Sequence, residues 1–210
     1  MTAIIDHGHG LTLHLEEGES TRRCGSCSLC CSLLPVRSLN KLAGQRCKHQ
    51  RFSSKGDCCK VYARLESVSP ECRLWSCRWK VNDDTADLSR PDRSHYVLDL
   101  VPDFVTMRDD ATGAVQHIQV VQIWVDPKFP DAHRDPALRA YLERRAEEGV
   151  IGLVRWDNEK AIALFPPALS SDGQWHETES NFRVKAHSPE ELMRALAGVP
   201  PGKTPDGGVG

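Results

Sequence analysis

The chain has 210 residues, 40% of them hydrophobic, and a formal net charge of −2. That length buries a real core, as one domain or as one domain with an appended module. No apolar run nears the roughly 18 residues of a membrane span, and the N-terminus has no basic start followed by an apolar stretch, so the expectation is a cytoplasmic protein with reduced thiols and no membrane.

The predicted elements begin with "LTLHL" (Leu11 to Leu15), whose apolar and polar residues alternate as in a short strand. From Thr21 to Lys80 there is little sustained periodicity. Two short helical stretches are expected there, around Ser38 to Ala43 and Lys60 to Leu65. "NDDTADLSRPDRS" (82–94) reads as a polar linker. "HYVLDLV" then puts Tyr96, Leu98 and Leu100 on one face of a strand. "FVTM" leads into the turn-like "RDDATG", and "VQHIQVVQIWV" is a long strand. Asp135-Pro136 opens a helix as N-cap and first helical residue, and Gly149 closes it. Leu138, Tyr141 and Leu142 form its apolar stripe. "VIGLVRW" and "KAIALF" are two more strands, joined through "DNEK" as a hairpin. Ser188 to Glu191 is a capping box that starts a short helix ending near Gly198, and the Pro/Gly-rich tail beyond it reads as disordered.

The cysteines carry the chemistry. All nine lie between Cys24 and Cys77. Charge is segregated in the same way: Arg22 to Lys80 holds 13 Lys and Arg against three acids, a balance of +10, and the rest of the chain carries −12. A loop-rich module without a periodic core needs a staple, either disulfide or metal. The odd cysteine count and the expected compartment argue against a disulfide framework. A thioredoxin-like reading of "CGSC" has no βαβ context around it. In "CGSCSLCC" (24–31), each C-x2-C step lets two thiolates turn toward one point, as metal knuckles require. Adjacent Cys30 and Cys31 project in different directions and need not serve the same metal. Four ligands, or eight, suit one or two tetrahedral sites. Thiolate ligates zinc and also iron–sulfur clusters. A tetrathiolate zinc site or a cubane cluster carries about −2, which nearby cations offset. Arg22, Arg23, Arg73, Arg78 and Lys80 stand close to cysteines in the chain.

These residues resemble the YkgJ family of CxxCxxCC zinc- or iron-chelating proteins. The matching pieces are "CGSCSLCC", the lone Cys47, "CKVY" (59–62) and "CRLWSCRW" (72–79), in that order, with "RPD" (90–92) after them. Ser28 stands where the family has Gly, and Ser69-Pro70-Glu71 where it has Arg-Pro. The resemblance covers roughly residues 22 to 94 and implies metal binding with no defined reaction. Its implied ligands are Cys24, Cys27, Cys30, Cys31, Cys47, Cys59, Cys72 and Cys77, leaving Cys58 over. A related cysteine pattern in a flagellin lysine methylase implies an iron–sulfur cluster, which favours iron over zinc. No glycine-rich cofactor loop supports methyl transfer in this chain.

The expected function is therefore a metal-binding protein that chelates iron, as an iron–sulfur cluster or as iron, or zinc. The alternatives are a zinc-stabilised interaction module and a metal carrier. Whether the chain is an enzyme stays open, as does any protein partner. The acidic remainder argues against nucleic acid, although Trp75 and Trp79 beside a basic segment could stack on bases. Those tryptophans are better suited to shielding the metal site from water. His49 is the best non-cysteine ligand candidate, and His7 and His9 are read as solvated. His95, His117 and His133 are expected at the surface or a sheet edge, and Trp124 and Trp156 in the core.

The expected fold class is α+β, with an irregular cysteine-rich metal-binding module packed on an antiparallel β-sheet with one or two helices. The divisions are an N-terminal strand or arm (1–20), a cysteine-rich metal-chelating module (21–94), the antiparallel sheet plus helix (95–187), and a short helix with a disordered tail (188–210). At least four of the eight implied ligand cysteines are expected to converge, their sulfurs within about 4 Å of one another or of a shared centre.

Overall fold

A computed structural model describes residues 2–6, 12–16, 22–51, 58–100, 103–108, 113, 115–157 and 159–179. The first two segments form an antiparallel hairpin, β1 (Thr2–Asp6) and β2 (Thr12–Glu16), with Thr2 opposite Glu16. The strand expected at Leu11 to Leu15 is β2. The His7-Gly8-His9 segment and the capping-box helix after Ser188 lie outside the described residues.

The body of the protein is a six-stranded sheet. At its centre is β5 (Val115–Val125), 11 residues rich in Val and Ile. Two short strands lie end to end along one side of it. β3 (Tyr96–Leu98) pairs antiparallel with its C-terminal part, and β4 (Asp103–Arg108) with its N-terminal part. On the other side β6 (Ile151–Arg155) pairs with β5, followed by β7 (Ala161–Phe165) and the edge strand β8 (His176–Glu179).

The α+β class holds, but the sheet is mixed rather than wholly antiparallel. β5 and β6 run parallel, Val120 opposite Ile151 and Trp124 opposite Arg155. A tight turn reverses the chain, whereas parallel neighbours need a crossover, usually a helix. Here that crossover is α6 (Pro136–Ala146); the five shorter helices that precede it are introduced with the site. Asp135 caps α6, its Oδ1 accepting from the Ala137 N–H at 3.0 Å while its Oδ2 accepts from the Tyr96 hydroxyl at 2.9 Å. Gly149 ends the segment at φ +74°, a conformation that costs glycine little.

Alternation along β3 and β5 explains the layers. Tyr96, Leu98, Val121, Ile123 and Val125 pack with Leu138, Tyr141 and Leu142 of α6. The residues between them, Val97 and Trp124, pack with Leu33, Leu34 and Cys77 of the cysteine-rich segment. The helix and the cysteine-rich segment thus cover opposite faces of the sheet. Gly152 lets α6 come close: a Cβ there would stand 3.2 Å from Leu142 Cδ1 and 3.1 Å from Ile123 Cδ1.

Segment 82–94, expected as a linker, is packed instead. Thr85 and Leu88 are buried, and Trp79 Nε1 donates to the Leu88 carbonyl at 3.0 Å. His133, expected near the surface, is also buried, with its ring edge-on to Trp156 and Nδ1 3.0 Å from the Pro130 carbonyl. A short loop before α6 folds it under the helix, and spacing along the chain does not reveal that.

The residues of β8 are exposed, and charges add to its backbone pairing with β7. Glu177 accepts from Arg134 Nη2 at 3.0 Å and from Arg139 Nη2 at 2.7 Å. Those bonds, Arg134 first, bring its carboxyl down to about 2 from an ordinary 4.5. A depressed folded pKa stabilises above the unfolded value and is lost as pH falls through the folded one. This contribution is therefore complete above about pH 4.5 and disappears toward pH 2. Urea melts at pH 6 and pH 3 should show a smaller acid loss for Glu177→Gln than for the parent. Identical losses would mean the pairing does not fasten the strand.

Candidate metal centre

Cys24 and Cys27 sit on a turn, with the Cys27 N–H donating to the Cys24 carbonyl at 2.9 Å and Gly25 at φ +55°. The chain then forms α1 (Leu29–Leu33), a helix missing from the sequence expectation. It has five residues, too few for a periodic signal, although Leu29 and Leu33 mark one face at i, i+4. Cys30 and Cys31 are adjacent on this helix.

The Cys47 N–H donates to the Cys31 carbonyl at 2.9 Å, which brings the next loop onto α1. Gln50, 4% exposed, pins it there. Its Nε2 donates to Ser28 O at 3.0 Å, Ser28 Oγ at 2.9 Å and Ser32 Oγ at 3.0 Å. Gln50 also pairs with Cys59 as an isolated antiparallel bridge. The helix expected at Ser38 to Ala43 is only a 3-10 turn, Arg37–Leu39, ended by Asn40 in the left-handed region. The one at Lys60 to Leu65 is a 3-10 turn, Tyr62–Arg64, running into α2 (Leu65–Val68). Cys72 lies in α3 (Pro70–Leu74), and the fully buried Ser69 donates to its sulfur at 3.2 Å. Cys77 precedes α4 (Arg78–Val81), and its backbone bridges to Asp99 beyond the end of β3. α5 (Pro91–Ser94) follows the packed segment.

All nine cysteines line one cavity of about 340 Å³. None forms a disulfide. Trp75 and Trp79 also line it, flanking Cys77, and each indole N–H is tied outward, Trp75 to Asp99 Oδ1 at 2.9 Å. His49 is on the wall as well. Cys58, also on the wall, is buried, and its thiol donates to the Ser26 carbonyl at 3.2 Å.

The thiols differ electrically. A hydrogen bond from Cys30 brings Cys31 down to about 7, helped by the Lys41 charge. The same bond and burial push Cys30 well up. Burial pushes Cys77 up to about 12 and also raises Cys27, Cys59 and Cys72. Among the described residues, no three His, Cys, Asp or Glu side chains stand close enough to hold a metal ion. The expected convergence of four sulfurs on one point is therefore not met. Neutral thiols pack as small apolar groups and do not need to meet at a point. Together the cysteines form a wall of soft donors around one space.

Arg73 and Lys80 line the cavity; Lys41, a buried cation close to the cysteines, is one the sequence reading missed. It is 7% exposed, and its Nζ donates to the carbonyls of Leu34 and Leu42. Burial lowers its pKa, and the charges of Cys47, Cys31, Cys30 and Cys72 work in the opposite direction. It stands six residues from the nearest cysteine in the chain, so proximity in sequence does not pick it out. Two of the five expected bases face elsewhere. Arg22 bonds Thr85 and Asn82, and Arg78 bonds the Asp99 carbonyl and the Tyr141 hydroxyl. Arg90, held by Asp92 at 2.6 and 2.8 Å, is the cation near Cys24 and Cys27.

No family model, curated protein or solved structure matches the chain. Among the described residues no helix is long and apolar enough to cross a membrane. The donor set suits a thiophilic metal: soft sulfurs, a buried ammonium to offset thiolate charge, and indoles that limit water.

Proposed function

We propose that this chain binds metal through its cysteines, iron as a cluster or as ions, with zinc as the alternative. The observation that carries the reading is that all nine cysteines, none in a disulfide, line one cavity. Thiols gathered this way without oxidation suit a reducing compartment such as the cytoplasm. The likeness to the YkgJ family is part of this proposal and rests on the quoted motifs. No reaction is assigned.

Anaerobic purification with metal analysis and an absorption spectrum tests it. A broad band near roughly 400 nm with iron present means an iron–sulfur cluster, and a colourless zinc protein means the alternative. An under-filled site that passes metal rapidly to a chelator means a carrier. Metal-free protein that takes up neither iron nor zinc when reconstituted under reducing conditions rejects the reading. Cys58 already has a partner in the Ser26 carbonyl. Cys58→Ser should therefore leave metal content unchanged, while Cys59→Ser lowers it. Equal losses would refute that assignment.

A further inference from the structure

The turn that carries Cys24 and Cys27 is held from far along the chain. Cys24 is exposed, and so are Gly25 and Ser26 between the two cysteines. The turn's own backbone supplies one hydrogen bond, from the Cys27 N–H to the Cys24 carbonyl at 2.9 Å. One bond in an exposed turn does little against the entropy of ordering its residues.

The outside partner is Arg90. Its Nη2 donates to Ser26 Oγ at 3.3 Å, and its Nη1 would stand 3.0 Å from a Cβ at Gly25. The guanidinium therefore lies against both residues between the cysteines. Asp92 fixes it there, accepting from Nε at 2.6 Å and from Nη2 at 2.8 Å. The backbone of this segment is fixed as well. The Arg90 carbonyl accepts from the Arg93 and Ser94 N–H groups at 2.8 and 3.1 Å, at the start of α5. Pro91 is buried and lines the cavity, and α5 runs through His95 into β3. The Cys27 sulfur also faces the backbone N–H of Asp92, besides that of Leu29. Segment 90–92 thus meets the turn at Gly25, Ser26 and Cys27, and its other end is anchored on the sheet.

We infer that Arg90, gripped by Asp92, clamps the Cys24–Cys27 turn as a positioning residue that holds the two thiols at the cavity wall for metal binding. The inference rests on the metal-binding reading above and adds the residues that prepare one part of the cavity. A guanidinium held by a carboxylate through two bonds keeps its direction, which an ammonium on a flexible stem does not. Gly25 suits the clamp twice over: it takes φ +55° at little cost, and it leaves room for the guanidinium. Thiols already held in place lose less freedom when they bind.

Retention of metal against a chelator tests it on the full chain under reducing conditions, with whichever metal the parent takes up, zinc or reconstituted iron. Arg90→Gln and Arg90→Lys should each give up half of that metal at about a tenth, or less, of the chelator concentration the parent withstands, as loss of an outer-shell partner does. Circular dichroism should still show the sheet. Parent-like retention in Arg90→Gln, or full recovery by Arg90→Lys, would overturn the clamp. Gly25→Ala should weaken retention by itself, because its methyl group meets the guanidinium. In the Arg90→Gln background the same change should cost clearly less, and fully additive losses would overturn the contact. Iodoacetamide labelling of the loaded proteins, mapped by mass spectrometry, separates a clamp from general loosening. Arg90→Gln should open Cys24 and Cys27 to label and leave Cys47 and Cys59 as protected as in the parent. Uniform labelling of all cysteines, or no gain at Cys24 and Cys27, would overturn the inference. A parent that takes up neither metal defeats the metal-binding reading and the inference with it, whereas a parent that binds metal no better than Arg90→Gln defeats the inference alone.

Discussion

On the proposed metal-binding reading, stripping metal with a chelator under reducing conditions should loosen residues 22–80 and leave the sheet folded. The cysteine-rich segment is built from helices of four or five residues and 3-10 turns. Such pieces are unstable alone, because helix nucleation is costly and each adds few bonds. In small zinc modules the metal supplies on the order of 10 kcal/mol of folding free energy. The sheet and α6 have their own supply: Ile123, Val125, Leu138, Leu142, Val154 and Leu164 are all fully buried. Hydrogen exchange on metal-free protein should be fast across the cysteine loops and slow across Val115–Val125. One exception is expected within the loosened segment. Leu33 and Leu34 pack against Val97 and Trp124, so the end of α1 should keep more protection than the Cys47 or Cys59 loops. Equal protection of the segment and the sheet without metal would mean that the cysteines are not the staple.

Leu142→Ala should cost about 3 to 4 kcal/mol, as large-to-small changes at fully buried leucines do. Leu142 is 0% exposed and lies directly over Gly152, which has no side chain to move into the space. Its neighbours Ile123 and Leu164 are in strands and cannot collapse far. The cavity should therefore persist, and the cost should stay near the upper part of the usual range. Urea unfolding would show a lower midpoint at unchanged slope. A loss below about 1 kcal/mol would mean that α6 is not seated on the sheet as described.

How much of this was legible in sequence depended on how local each signal was. The α6 boundaries were legible because the Asp135 cap and Gly149 are local chemistry. The β6–β7 hairpin followed from two apolar runs and a short polar loop. Strand pairing across longer distances was not legible. That β3 and β4 share one side of β5, and that β6 runs parallel to it, depends on where the crossovers return. The gathering of cysteines could be anticipated from their density. The residues that arrange them could not. Gln50, Lys41 and Ser69 are single polar residues whose buried hydrogen bonds depend on how the loops fold together. α1 escaped notice because five residues give no period.

The bridge between Cys77 and Asp99 has a consequence for how the cavity fills. The Asp99 N–H donates to the Gln122 carbonyl at 2.9 Å, so the backbone presenting Cys77 is fastened to the central strand. That sulfur's position is inherited from the sheet. The sulfurs of Cys47 and Cys59 are held by turns and by one glutamine. A group already fixed loses little freedom when it binds, whereas a loop must give up its freedom at that moment. On the proposed reading, Cys77 is already in place before binding, and the entropic cost of closure falls on the loops that carry Cys47 and Cys59.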